Sequence, residues 1–177
     1  MEPLPTHPVI EEVLKARNQQ LHARIELIVN RYRQNWGDSL WKQAAALDGK
    51  PRVVALDFFP CITNMYEQVL KKCIDRVTVI TSFNGSDMLV KVHVLKPDLI
   101  VTGLNVLHFC PVAYEWMLSN LARPDAVPII FLTGASPSRW PREIPTKSPH
   151  VRVLDKFCDP VALRGAVQEL LPGIARA

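Results

Sequence analysis

The sequence is poor in glycine and has no long apolar run. Only 7 of its 177 residues are glycine, and it has no GxGxxG, P-loop or GxSxG pattern. These patterns build the phosphate-binding loops of nucleotide enzymes and the nucleophile turn of hydrolases. No segment approaches the roughly 18 consecutive apolar residues that predict a membrane span. The sequence therefore offers little support for an enzyme, and we expect no membrane-spanning segment.

Cysteine is scarce and scattered. Cys61, Cys73, Cys110 and Cys158 stand singly, without CxxC or Cys/His ligand spacing. Such isolated thiols are typical of a reducing compartment and do not predict a disulfide framework or a metal site. The first residues carry prolines and acidic side chains in place of the apolar core of a secretion signal. We therefore expect a cytoplasmic protein without a metal or another cofactor.

Positive charge is present but not concentrated. The net charge is +4, and residues 1–50 carry seven Lys/Arg against six Asp/Glu. Nucleic-acid-binding surfaces usually show a clustered basic face. Nucleic-acid binding is therefore possible but not favoured.

His108, Cys110 and Glu115 are near one another in sequence, but a lone HxC pattern is too weak to indicate an enzyme.

The first 48 residues have a helical pattern with a single break. Gly37, Asp38 and Ser39 form that break, and a short second helix follows it. The apolar positions before it are Val9, Val13, Ile25, Ile28, Val29 and Tyr32. Their spacing predicts a long helix without a strict heptad. We predict a helical extension over 1–48 and a separate domain over 49–177. The extension can pack on that domain, on a partner or on a second copy.

From residue 52 onward, short apolar runs alternate with helical stretches. Continuously apolar strands are buried on both faces, which indicates a parallel sheet with helices on each side. We predict an α/β fold with a five-stranded, doubly wound parallel sheet. The predicted strands are 52–56, 77–81, 98–102, 127–133 and 151–155. The helices are expected over 62–73, 86–95, 112–122 and 160–171. The connection 134–150 holds four prolines and is predicted to be a loop.

Polar residues and one glycine stand at the carboxyl ends of these strands, where α/β folds place their ligands. Asp57 and Phe58 follow the first strand, and Gly103 and Asn105 follow the third. Thr133 ends the fourth strand and Lys156 follows the fifth. An acid, a threonine and a lysine are thus expected to converge on one edge of the sheet.

Residues 52–172 resemble the receiver domain of bacterial response regulators, which is a flavodoxin-like fold. The matching segments are RVVALDFFP, FNGSDMLVKVHVLKPDLIVTGLNV, VPIIFLTG and VLDKFCDP. In that family two acids after the first strand help to hold Mg²⁺, and an aspartate after the third strand accepts a phosphoryl group. A threonine or serine and a lysine, from the next two strand ends, contact the phosphate. The resemblance implies a role in two-component signalling.

Carried over position by position, the resemblance implies a degenerate site. Asp57 matches the first acid, but Phe58 matches the second and Gly103 matches the phosphoacceptor. Asn105 falls where a backbone carbonyl would reach the metal. Thr133 and Lys156 match the phosphate-contacting pair. One carboxylate and a phenylalanine cannot replace three acids, so no aspartyl phosphate and no tightly bound Mg²⁺ are expected.

Simpler roles remain open for these residues. Asp57 can cap the turn that follows it, and Thr133 can be an ordinary hydroxyl at a strand end. Lys156 can form an ion pair with Asp57 in place of the missing carboxylate, or it can be solvated. Gly103 can reflect a close approach of another group, or it can mark a position where no side chain is required.

The sequence favours a pseudo-receiver that binds proteins independently of phosphorylation. Arg139, Trp140 and Arg142, in the proline-rich connection, are the first expected binding surface. Ile25, Ile28 and Tyr32 of the long helix are the second. The partner can be another protein, a second copy or a larger complex. The alternatives are a transcription regulator that binds DNA through its N-terminal helices, and a sensor of small anions at the vacated pocket.

Overall fold

The computed structural model describes residues 8–47, 49, 51–74, 77–104, 110–134 and 144–172. The helices are α1 (Pro8–Trp36), α2 (Ser39–Ala46), α3 (Pro60–Cys73), α4 (Gly85–Leu95), α5 (Pro111–Leu121) and α6 (Pro160–Leu170). The strands are β1 (Arg52–Leu56), β2 (Thr78–Ser82), β3 (Leu99–Gly103), β4 (Ile129–Thr133) and β5 (Val151–Asp155). Within the described part of the chain, none of the helices is long and apolar enough to cross a membrane.

The five strands form one parallel sheet in the order β2-β1-β3-β4-β5. One face is covered by α3 and α6, which bury Tyr66, Leu70 and Val167 against the sheet. The other face is covered by α4 and α5, which bury Met88 and Met117. The predicted doubly wound α/β fold is therefore confirmed, and the carboxyl ends of all five strands lie at one edge of the sheet.

Strand β3 ends one residue later than predicted. The predicted strand covers 98–102 and leaves Gly103 outside it. The ladder extends through this residue because Gly103 is paired with Leu132 of β4. Gly103 is therefore the last residue of the strand and is buried at the carboxyl edge.

The N-terminal helices pack on the outside of α4 and α5. Leu21, Ile25 and Val29 recur every four residues along α1 and are buried in the same apolar cluster as α4 and α5. Leu40 and Leu47 extend this cluster through α2 and the turn after it. The extension therefore forms a further layer on one side of the domain, which is one of the three placements that the sequence left open.

Polar contacts fix the position of α1 along α5. Arg17 Nε and Arg24 Nη1 contact the two carboxylate oxygens of Glu115 at 3.1 and 2.7 Å. Ser119 Oγ donates a hydrogen bond to Asn18 Oδ1 at 3.3 Å. Exposed ion pairs add little stability one at a time, so their main effect is to define one register of the helix. Glu115 thus has a structural role.

Candidate functional site

Asp57 is the centre of the carboxyl edge and is fully buried. Its Oδ2 atom contacts Lys156 Nζ at 2.6 Å and accepts a hydrogen bond from Tyr66 Oη at 3.5 Å. Its Oδ1 atom accepts a hydrogen bond from the backbone N–H of Phe59 at 3.2 Å. A buried carboxylate needs a counter-ion and hydrogen-bond donors, and Asp57 has both within this protein.

Lys156 reaches Asp57 from the far side of the sheet, after β5. Its backbone N–H donates to the carbonyl of Thr133 at 3.0 Å, which continues the β4–β5 pairing past the strand end. Its Nζ also lies 5.7 Å from the centre of the Phe59 ring, within the range of a cation–π contact. The side chain of Lys156 is 20% exposed. The structure thus shows the ion pair between Lys156 and Asp57 that the sequence left as one of two options.

The residues that follow β1 present aromatic rings at the edge. Phe58 and Phe59 are both exposed, and Phe157, next to Lys156, is 76% exposed. Large exposed apolar side chains that share one edge of a protein often mark a contact surface. Phe58, at the position that the resemblance matches to a second acid, has an apolar ring and no oxygen that could bind a metal.

The remaining predicted site residues have different outcomes. Gly103 and Thr133 lie at the ends of the neighbouring strands β3 and β4, where both are buried. Asn105 lies outside the described residues. Arg139, Trp140 and Arg142 also lie outside the described residues. The structure therefore brings Asp57, Phe58, Gly103, Thr133 and Lys156 to one edge of the sheet.

The three residues of α1 that were predicted to bind a partner are unequally accessible. Ile25 is 5% exposed and packs in the core. Ile28 and Tyr32 are half-buried at the margin of the same cluster. Only Ile28 and Tyr32 of this group keep surface that another molecule can reach while α1 is docked.

The residues present do not fit a receiver-type Mg²⁺ site. Mg²⁺ requires a near-octahedral set of oxygen ligands, usually including carboxylates. Here the one carboxylate is occupied by Lys156 and Tyr66, and the neighbouring Phe58 has no side-chain oxygen. Among the residues that the structure describes, no cluster of three His, Cys, Asp or Glu side chains is arranged to hold a metal ion.

Tyr66 is a site residue that the sequence reading missed. It lies on the buried face of α3 together with Thr63, Leu70 and Cys73, a spacing of three to four residues. Burial raises the pKa of its hydroxyl, and the negative charge of Asp57 raises that pKa further. Tyr66 therefore stays protonated and continues to donate to Asp57 well above the ordinary pKa of tyrosine.

This raised pKa predicts a loss of stability at alkaline pH. The protonated Tyr66 hydroxyl stabilises the folded protein fully below about pH 10, the ordinary pKa of tyrosine. This stabilisation is lost as the pH rises toward the pKa of Tyr66 in the folded state. The reason is that tyrosinate forms first in the unfolded chain. Urea unfolding between about pH 9 and pH 11.5 should show a smaller decrease in stability for Tyr66→Phe than for the wild type. Equal pH dependence of the two proteins would contradict the assignment.

No family model matches the sequence, and no curated protein matches it. Solved structures do match. The signal receiver domain of a DNA-binding response regulator from Colwellia psychrerythraea is 15% identical with a TM-score of 0.56. That match covers 70% of this chain and 99% of the receiver domain.

Two further structures give the same result. The chemotaxis response regulator CheY4 of Vibrio cholerae is 24% identical with a TM-score of 0.54, over 69% of this chain and 99% of that one. The pseudo-receiver domain of the CikA protein is 21% identical with a TM-score of 0.51, over 69% and 98%. At these identities the likeness shows the fold, and the resemblance to receiver domains is confirmed at that level.

Proposed function

We propose that this chain is a receiver-like signalling module that binds protein partners without being phosphorylated and has no catalytic activity of its own. The observation that carries the proposal is the contact of 2.6 Å between Lys156 Nζ and Asp57 Oδ2, in which Asp57 is fully buried. A switchable receiver site must admit a divalent cation and a phosphoryl group. Here a protein ammonium group already neutralises the acid.

The end of β3 supports the same conclusion. Phosphoryl transfer to a receiver requires a carboxylate oxygen as the nucleophile. The last residue of β3 is Gly103, and the strand residues before it, Val101 and Thr102, have no carboxylate. Thr102 is fully buried, and its hydroxyl donates to the carbonyl of Gly103. We infer that the chain lacks a phosphoacceptor at this strand.

One observation and one sequence-based prediction favour a protein as the partner. Phe58, Phe59 and Phe157 expose apolar rings at the carboxyl edge, and aromatic side chains are enriched in protein interfaces. Arg139, Trp140 and Arg142, which lie outside the described residues, remain a predicted binding surface in their own right, because arginine and tryptophan often dominate binding energy.

The two alternatives have less support. In the anion-sensor hypothesis Lys156 would bind the anion, but its ammonium group is already paired with Asp57. In the DNA-binding hypothesis the N-terminal helices would enter a groove, but α1 is docked along α5, and Arg17 and Arg24 are paired with Glu115.

The proposal is tested by phosphorylation and capture assays on the full chain. Incubation with acetyl phosphate and Mg²⁺ should add no phosphoryl mass in mass spectrometry. Affinity capture from cells of the source organism should retain the same partner with or without beryllofluoride. Retention should fall for a combined Arg139→Ala, Trp140→Ala and Arg142→Ala variant or for Phe157→Ala. Leu27→Ala, at an exposed position of α1, should leave retention unchanged.

Two results would contradict the proposal. One is stoichiometric phosphorylation, which would show a nucleophile elsewhere on this edge. The other is partner retention that requires beryllofluoride, which would show a phosphorylation-dependent state. Specific retention of DNA in place of a protein would favour the transcription-regulator hypothesis.

A further inference from the structure

A groove of about 430 Å³ lies between the last turns of α1 and the start of α4. It uses neither Asp57 nor Lys156, although Phe83 and Asn84 of its lining follow β2 at the same edge of the sheet. Residues from two segments line it: Ile28, Arg31, Tyr32, Asn35 and Trp36 from α1, and Phe83, Asn84, Ser86, Asp87 and Val90 from the β2–α4 region. The docking of the N-terminal helix on the domain therefore creates the groove.

Aromatic rings form much of its wall. Tyr32 and Trp36 are one helical turn apart, with ring centres 6.2 Å apart and planes inclined by 31°. Trp36 is 69% exposed, and Phe83, from the other segment, is 44% exposed. Ligand sites combine apolar and aromatic walls with a few polar groups and have volumes of about 300–1,000 Å³. This groove has that composition and a volume within that range.

The charge balance of the groove is positive. The guanidinium of Arg31 has no ion pair or hydrogen bond with any other residue that the structure describes. Asp87 is paired, because its Oδ2 atom contacts Lys91 Nζ at 2.6 Å and accepts from Ser82 Oγ at 2.6 Å. Because Lys91, just outside the groove, balances Asp87, Arg31 is the unbalanced charge among the groove residues.

Two other polar groups of the groove, on Asn84 and Tyr32, can donate hydrogen bonds to a ligand. The carbonyl group of the Asn84 side chain accepts from the N–H of Asp87, so its amide group is left to donate. Burial raises the pKa of the Tyr32 hydroxyl, and Asp87 raises it further. The hydroxyl therefore stays protonated. Donors and a free guanidinium favour an occupant that carries acceptor oxygens and negative charge.

We propose that this groove binds a small organic anion with a flat aromatic ring. The ring would contact Trp36, Tyr32 and Phe83, and the carboxylate or phosphate would pair with Arg31. Such a ligand satisfies both properties of the groove at once. An aliphatic anion would leave the aromatic wall uncovered, and a neutral ring would leave Arg31 unpaired.

The test compares anions with neutral analogues on the full-length protein. The probes are 2-naphthoate with 2-naphthylmethanol, and AMP with adenosine, titrated by calorimetry and by amide NMR. At least one anion should bind about fivefold more tightly than its neutral analogue, which is the expected effect of one partly exposed charge pair. The largest NMR shifts should lie in the groove. The pair that binds identifies the anionic group as a carboxylate or a phosphate.

Two pairs of variants locate the binding. Arg31→Gln should remove the preference for the anion, whereas Arg164→Gln, which removes an equal exposed charge on α6, should leave it unchanged. Trp36→Ala should weaken both members of a pair, whereas Leu27→Ala on the same helix should not. Absence of binding by all four probes at millimolar concentration would overturn the proposal. Equal affinity for anion and analogue, or equal effects of Arg31→Gln and Arg164→Gln, would do the same.

Discussion

Replacing Lys156 by methionine should lower the free energy of unfolding by about 3 kcal/mol. The cause is Asp57, which is fully buried and would lose its counter-ion. Breaking a buried pair by removing one partner typically costs about 3–5 kcal/mol, and the partial exposure of Lys156 places this case at the low end. Urea unfolding followed by circular dichroism measures the difference.

The two partners of this ion pair should not be equivalent. Asp57→Asn leaves Lys156, which is 20% exposed and can reach water. This change should therefore cost only about 1–2 kcal/mol. The double variant Asp57→Asn/Lys156→Met removes the buried charge and should be more stable than Lys156→Met alone. If Lys156→Met unfolds within about 0.5 kcal/mol of the wild type, as a surface substitution does, the contact is not a buried ion pair in solution.

Replacing Ile25 by alanine should destabilise the whole domain by about 2–4 kcal/mol. Ile25 is 5% exposed and belongs to the cluster that covers α4 and α5. Truncating a buried isoleucine removes apolar contacts and leaves a cavity, and both effects lower stability. The matched control is Leu27→Ala on the same helix, which is 65% exposed and should change stability by less than about 0.5 kcal/mol.

A helix that is detached in solution would give the opposite result, with both variants near the wild type. Docking also predicts the behaviour of the fragment 49–177. That fragment loses Leu21, Ile25, Val29, Leu40 and Leu47 from the cluster, so it uncovers apolar surface on α4 and α5. We expect it to associate in sedimentation experiments and to unfold with lower cooperativity. The proposed boundary near residue 48 thus separates two segments that depend on each other for burial.

The sheet and its edge could be predicted from sequence because their signals are local. The runs at 52–56 and 151–155 are rich in valine and leucine, and both are strands with the predicted bounds. Asp57 and Lys156 are the first residues after these two runs. Their place at the carboxyl edge could therefore be predicted as soon as the strands were. The parallel topology explains why the two residues meet, because it aligns the carboxyl ends of strands that are far apart in the chain.

The parts that the sequence did not reveal depend on distances between elements. Tyr66 has the helical spacing of a buried residue, but that spacing does not indicate that its hydroxyl meets Asp57. The pairing of Arg17 with Glu115 spans 98 residues, and no local pattern reports it. The groove at Trp36 and Phe83 exists only because α1 docks beside the β2–α4 loop. The periodicity of a helix indicates which of its faces is buried, but it does not indicate which other element that face packs against.

The position of α1 also affects how the chain folds during synthesis. Glu115, which receives Arg17, is made 98 residues later. At about 5–20 residues per second the ribosome needs about 5–20 s to produce it. Meanwhile the apolar stripe of Leu21, Ile25 and Val29 has no surface to cover it, and an isolated helix is only marginally stable in water. The stripe on a nascent chain therefore stays uncovered until α4 and α5 have been made, and a translational pause within residues 40–110 would prolong that exposure.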